Sequence, residues 1–82
     1  MTVSGILAAT TPDHLESVCR AIDAHPWAQV HFTDERGRVV LTIEADDEQA
    51  SVDRLLEIRR IPRVWLAEMV EVRNVTEEME PS

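Results

Sequence analysis

The sequence predicts a small α+β sandwich, and three observations carry that prediction. Two segments with helical spacing alternate with four short strand-like segments. Asp34-Glu35-Arg36-Gly37 forms a tight turn between the two inner strands, with Gly37 free to take positive φ. The two halves echo each other, each running strand, capped helix, helix-ending proline, strand. The order is βαββαβ. Right-handed crossovers around an inner hairpin favour a ferredoxin-like sandwich, a four-stranded antiparallel sheet in order 4-1-3-2 with both helices on one face.

The first strand is the apolar run Val3 to Ala9 around Gly5. Thr11-Pro12-Asp13 opens the first helix: threonine caps free amides, proline at the first position forfeits no hydrogen bond, and Asp13 and Glu16 suit the positive end of the dipole. Leu15, Val18, Cys19 and Ile22 form its apolar stripe, and His25-Pro26 ends it. In the second strand Ala28, Val30 and Phe32 alternate with Gln29, His31 and Thr33, which assigns the first set to the core and the second to the wet face. The third strand is the clearest: Val39 to Ile43 is β-branched and nearly continuous in apolar character, as befits a central strand. Asp46 is the expected cap of the second helix, with Gln49 as its capping-box partner, Val52, Leu55, Leu56 and Ile58 as the apolar face, and Pro62 as the stop. The fourth strand, Val64 to Arg73, mixes charge and apolar residues on both sides, which suits an edge.

Eighty-two residues make one domain, and a chain this short removes only roughly 60 to 65% of its unfolded surface from water, leaving little room for a buried cofactor. The domain is expected over 1–73, followed by a solvated acidic tail over 74–82 that holds Glu77, Glu78 and Glu80. Sixteen acids against eight arginines give a formal net charge of −8. That sign disfavours nucleic acid and anionic membrane and favours a basic partner. The single cysteine, Cys19, forms no disulfide within the chain, and no signal peptide or membrane span is apparent, so a cytoplasmic protein is expected.

With two helices on one side, the opposite side of the sheet is the functional question. If Val39, Leu41 and Ile43 meet the helices, then Val40, Thr42 and Glu44 face outward, joined by Ile6 and Ala8 of the first strand and by Gln29, His31 and Thr33 of the second. From the fourth strand the pattern allows either Leu66, Glu68 and Val70 or Trp65 and Met69; the predicted site takes the former. The result is an apolar strip with a polar rim. Other uses of this architecture lack their residues. A soft-metal carrier needs paired thiolates near Ala9-Thr10-Thr11-Pro12. An RNA reader needs aromatics on the central strands and the opposite charge. An acyl-phosphate hydrolase needs a glycine-containing anion loop with an arginine after the first strand. His14, His25 and His31 have no metal-ligand spacing, and neither catalysis nor a cofactor is expected.

Three stretches carry a family resemblance: Val3-Ser4-Gly5-Ile6-Leu7, the run from Gly37 through Val39-Val40-Leu41-Thr42-Ile43 to Asp47, and Leu55-Leu56-Glu57-Ile58-Arg59-Arg60-Ile61-Pro62-Arg63-Val64. Together they resemble the NapD family, small cytoplasmic maturation chaperones of the periplasmic nitrate reductase. The chain departs from that pattern at Pro62-Arg63, where the family often has glycine, and at Val70-Glu71-Val72, where an aromatic followed by histidine is usual. The resemblance implies a protein that binds the twin-arginine signal peptide of the nitrate reductase catalytic subunit and restrains export until the molybdenum cofactor is inserted. Such a peptide is basic and then apolar, matching an acidic protein with an apolar strip. The competing expectation is a self-associating or small-ligand-sensing module of another ferredoxin-like family, with a weak homodimer through the open face.

Overall fold

The computed structural model describes residues 1–74. Four strands, β1 (Thr2–Ala9), β2 (Ala28–Thr33), β3 (Arg38–Ala45) and β4 (Leu66–Asn74), form one antiparallel sheet in order β2-β3-β1-β4. Two helices, α1 (Leu15–Asp23) and α2 (Glu48–Arg59), connect them. This is the ferredoxin-like α+β fold, with the predicted strand order read from the other edge. The expected tail over 74–82 falls outside the described residues, apart from Asn74. That residue closes β4, where its Oδ1 accepts a hydrogen bond from Thr2 Oγ1 at 3.0 Å.

The core lies between the sheet and the helices. Val39, Leu41 and Ile43 of β3 are fully buried, as the alternation predicts, and meet Val18 and Ile22 of α1 and Leu55 and Ile58 of α2. Burying each such side chain is worth about 1.5–3 kcal/mol, so this one strand anchors much of the fold.

The helix starts differ from expectation. Pro12–His14 forms a 3-10 turn and α1 proper begins at Leu15; the Thr11 hydroxyl lies 2.8 Å from His14 Nδ1 and caps no backbone amide. In α2 the cap is Asp47, whose Oδ1 accepts from the Ala50 amide at 2.8 Å. Asp46 is not the cap because Asp47, one residue later, holds the extended geometry from which a side chain reaches the third amide. Gln49 reaches Asp53 instead of the cap.

The apolar face of α2 is rotated relative to the predicted one. Ser51, Leu55 and Ile58 are buried, whereas Val52 and Leu56 are exposed. Ser51 is small, so the helix packs closely through it, and its hydroxyl is satisfied by the Asp47 carbonyl at 3.0 Å.

The β2–β3 turn is tied to the rest by its glycine. Gly37 has φ of +91°, and its carbonyl accepts the Thr10 amide at 2.8 Å. A Cβ at Gly37 would stand 2.1 Å from the Thr10 carbonyl oxygen, so no side chain fits. Asp34 completes the turn, accepting from the Arg36 and Arg38 amides and from Arg38 Nε at 2.6 Å. These bonds, the Arg38 amide first, hold its carboxyl below the usual aspartate value.

Candidate functional site

The sheet face opposite the helices has no element packed over it among the described residues. In a strand, successive side chains alternate between faces, so antiparallel pairing sorts the residues across all four strands. Because β3 sends Val39, Leu41 and Ile43 inward, Val40, Thr42 and Glu44 face outward, as expected from the sequence.

β1 has the opposite phase to the one predicted. Ile6 pairs with Leu41 and Ala8 with Val39, and both Ile6 and Ala8 are fully buried against the helices. They therefore cannot belong to the outer surface. Val3, Gly5, Leu7 and Ala9 take that place, with Leu7 opposite Val40 and Gly5 opposite Thr42. The strand gives no warning of this, because its buried face carries the polar Thr2 and Ser4 while its outer face carries Val3 and Leu7.

On β2 a bulge decides the arrangement. Val30 pairs with Leu41 and Phe32 with Val40, leaving His31 as the extra residue. Phe32 thus leaves the predicted core position and stands on the open face, 67% exposed, while Thr33, expected outward, pairs with Val39 of the helix side. His31 and Gln29 stay on the open face: Gln29 pairs with Thr42, and His31 Nε2 lies 2.7 Å from Thr42 Oγ1.

For β4 the structure selects between the two sequence readings. Leu66 pairs with Ala9 and Glu68 with Leu7, placing both on the open face, whereas Ala67 and Met69 pair with Ala8 and Ile6 and face the core. A second bulge follows, with Glu71 opposite Gly5, and Val70 is the extra residue, 64% exposed beside Gly5. Trp65 precedes the strand and is held through its amide to the Ala9 carbonyl at 2.9 Å.

Of the nine residues predicted for the site, seven share one surface: His31, Val40, Thr42, Glu44, Leu66, Glu68 and Val70. Ile6 and Ala8 do not join them, and Leu7 and Phe32 are the missed members. The register across β1 and β3 would have revealed Leu7. Nothing local announces the bulge that exposes Phe32.

The surface is uneven. Leu7, Phe32 and Val40 floor a hollow of about 220 Å³ whose rim is Asp34 and Arg38. Toward the other end of β1 the face becomes polar, with Thr42 and Glu71 flanking Gly5, and Glu44 and Arg73 flanking Val3. Glu44 is fixed through its backbone: its amide donates to the Trp27 carbonyl at 2.8 Å, and its own carbonyl accepts from Arg54 Nη1. Arg54 lies over Trp27, which stacks on His25 with ring centroids 4.4 Å apart, so this junction of β2, β3 and α2 is held by ring and cation contacts.

The cysteine lies apart from this face. Cys19 lies on α1, where partial burial and then the Asp23 carboxylate push its thiol above the usual value, away from nucleophilic chemistry. No three His, Cys, Asp or Glu side chains among the described residues gather so as to hold a metal ion. No helix among the described residues is long and apolar enough to cross a membrane.

A family model described as NapD protein matches residues 1–72. The chain belongs to the NapD family. A NapD solution structure from E. coli, titled a Tat proofreading chaperone, superposes with a TM-score of 0.79 at 17% identity, covering 98% of this chain and 84% of that one. At that identity the superposition speaks for the fold. No curated protein matches the sequence at a significant level. Arg63, at the junction between α2 and β4, adopts φ of +76°, the left-handed conformation in which glycine is favoured.

Proposed function

We propose that this NapD-family chain is a cytoplasmic chaperone that binds the twin-arginine signal peptide of the periplasmic nitrate reductase catalytic subunit and restrains its export until the molybdenum cofactor is inserted. The observation that carries the reading is the open sheet face, where Leu7, Phe32, Val40, Leu66 and Val70 bring apolar surface together beside Glu44, Glu68 and Glu71. Family membership supplies the context.

The physical logic is occupancy. A basic-then-apolar peptide lies on the face as a helix; apolar contacts supply most of the affinity, and the acids favour encounter and orientation. While held there it is unavailable to a transporter. The chain contributes no covalent step and requires no cofactor for this role.

Titration calorimetry with a twin-arginine signal peptide tests the proposal. Saturable binding at micromolar affinity or tighter, weakening as salt is raised, is the expected result. Val40→Asp places a carboxylate at the centre of the face and should raise Kd at least tenfold while far-UV circular dichroism stays unchanged. No heat of binding together with a stable dimer would replace this reading with a self-associating module.

A further inference from the structure

Val52 and Leu56 stand on α2, on the helix side of the sheet, and are 44% and 43% exposed. Packing among the described residues does not account for them, because Ser51, Leu55 and Ile58 already make the contact with the sheet. Their neighbours give the pair a meaning. Residues four apart lie one turn above another on the same helix surface, and Glu48, Val52, Leu56 and Arg60 run acid, apolar, apolar, base along α2 and its C-terminal cap. All four are exposed, as are Gln49 and Arg59, which flank the row. Arg54, on one side of the helix, reaches the Glu44 carbonyl of β3, whereas Arg59 reaches the Ala67 carbonyl of β4 at 2.9 Å. The row therefore lies on the β4 side of α2.

We propose that this row is a self-complementary interface through which two copies of the chain pair, α2 against α2 and antiparallel. About a two-fold axis level with Arg54, Val52 meets Leu56 of the second copy and Glu48 meets Arg60, each pair occurring twice. Gln49 falls opposite Arg59. No acid in the row faces an acid, and no arginine faces an arginine. Ridges built from residues four apart interlock at a crossing angle of about −50°, the commonest helix packing, and an antiparallel pair also sets each helix N-terminus beside the other's C-terminus. Glu48 forms no ion pair among the described residues. Arg60 meets Glu57 only at 3.9 Å with both side chains exposed, a contact that Glu48 of the second copy can replace. A contact along one 12-residue helix is smaller than a standard interface of about 1,200–2,000 Å², so the pairing is weak and reversible. It leaves the open face of both copies free and does not rest on the chaperone reading.

Sedimentation velocity of the full chain, from about 10 µM to about 1 mM, should show a reversible monomer–dimer equilibrium. Glu48→Arg or Arg60→Glu sets like charges opposite each other twice and should raise the dimer dissociation constant about tenfold. Their equimolar mixture is the decisive sample, because a Glu48→Arg chain paired with an Arg60→Glu chain regains both ion pairs. That heterodimer should form with an affinity within about threefold of the unaltered protein. Leu56→Asp should leave the chain monomeric throughout, whereas Val40→Asp, on the open face, should leave the association unchanged. Far-UV circular dichroism checks each fold. If a reversal does not fold, Glu48→Gln and Arg60→Gln carry the measurement, each raising the constant about threefold. A chain monomeric at every concentration, a dimer indifferent to Leu56→Asp, or a mixture no tighter than its components overturns the proposal. A dimer lost in Val40→Asp but kept in Leu56→Asp also overturns it and moves self-association to the open face.

Discussion

The two faces of the sheet are built from the same strands yet obey different rules. On the helix side every large side chain of β3 and β1 is fully buried, and its identity is explained by packing against Val18, Ile22, Leu55 and Ile58. On the open side Phe32, Val40, Leu66 and Val70 are 39–67% exposed, and no contact among the described residues accounts for so much apolar surface in one place. The first face is what lets the chain fold. The second is surface that packing among the described residues does not explain, and it is the surface assigned above to the proposed peptide.

Adjacent residues on one strand give the largest contrast. Leu41→Ala removes a fully buried side chain at the meeting point of both helices and should destabilise the protein by about 3 kcal/mol, read from urea unfolding. A loss comparable to that in the neighbouring Val40→Ala would break the distinction between the faces. Phe32→Ala sharpens it further. A core phenylalanine costs about 3–5 kcal/mol on truncation, whereas at 67% exposure the expected loss is under about 1 kcal/mol, with signal-peptide affinity reduced instead. The smallest effect lies outside both faces. Arg63→Gly relieves a left-handed residue at the α2–β4 junction and should stabilise by about 0.5 kcal/mol, the relief being partly offset by the greater freedom of glycine in the unfolded chain. Calorimetric melting resolves it, and a lowered midpoint would mean that the Arg63 side chain contributes more than its backbone loses.

How much of this was legible in the sequence follows the same division. Strand β3 and the stripe of α1 could be read directly, because burial there matches a clean period: Val39, Leu41 and Ile43 in one case, Val18 and Ile22 in the other. The strand order also followed, from chirality and the short hairpin. The phase of β1 was not legible, because Ser4 and Thr2 are buried while Val3 and Leu7 are not, and a run with apolar residues at both parities has no preferred face until it is paired. The face of α2 was misread for a related reason: Val52 and Leu56 mimic a buried stripe that Ser51 in fact occupies. The two bulges lie beyond any pattern of period two, since each shifts the alternation by one residue. They bring Phe32 and Glu71 onto the open face, so these are members of the candidate site that a periodic reading loses.

The close seat of Gly37 on Thr10 has a consequence for recognition. That contact fastens the hairpin bearing Asp34 and Arg38 to the segment that follows Leu7, and the Asp34 bonds stiffen the hairpin itself. Rim and floor of the hollow are thereby held at a fixed separation before anything arrives. On the proposed reading, a peptide docking here would lose its own conformational freedom without having to order its receptor as well, so the entropy of association would be borne by one partner only. A small acidic protein with a shallow surface would gain selectivity in this way without depth.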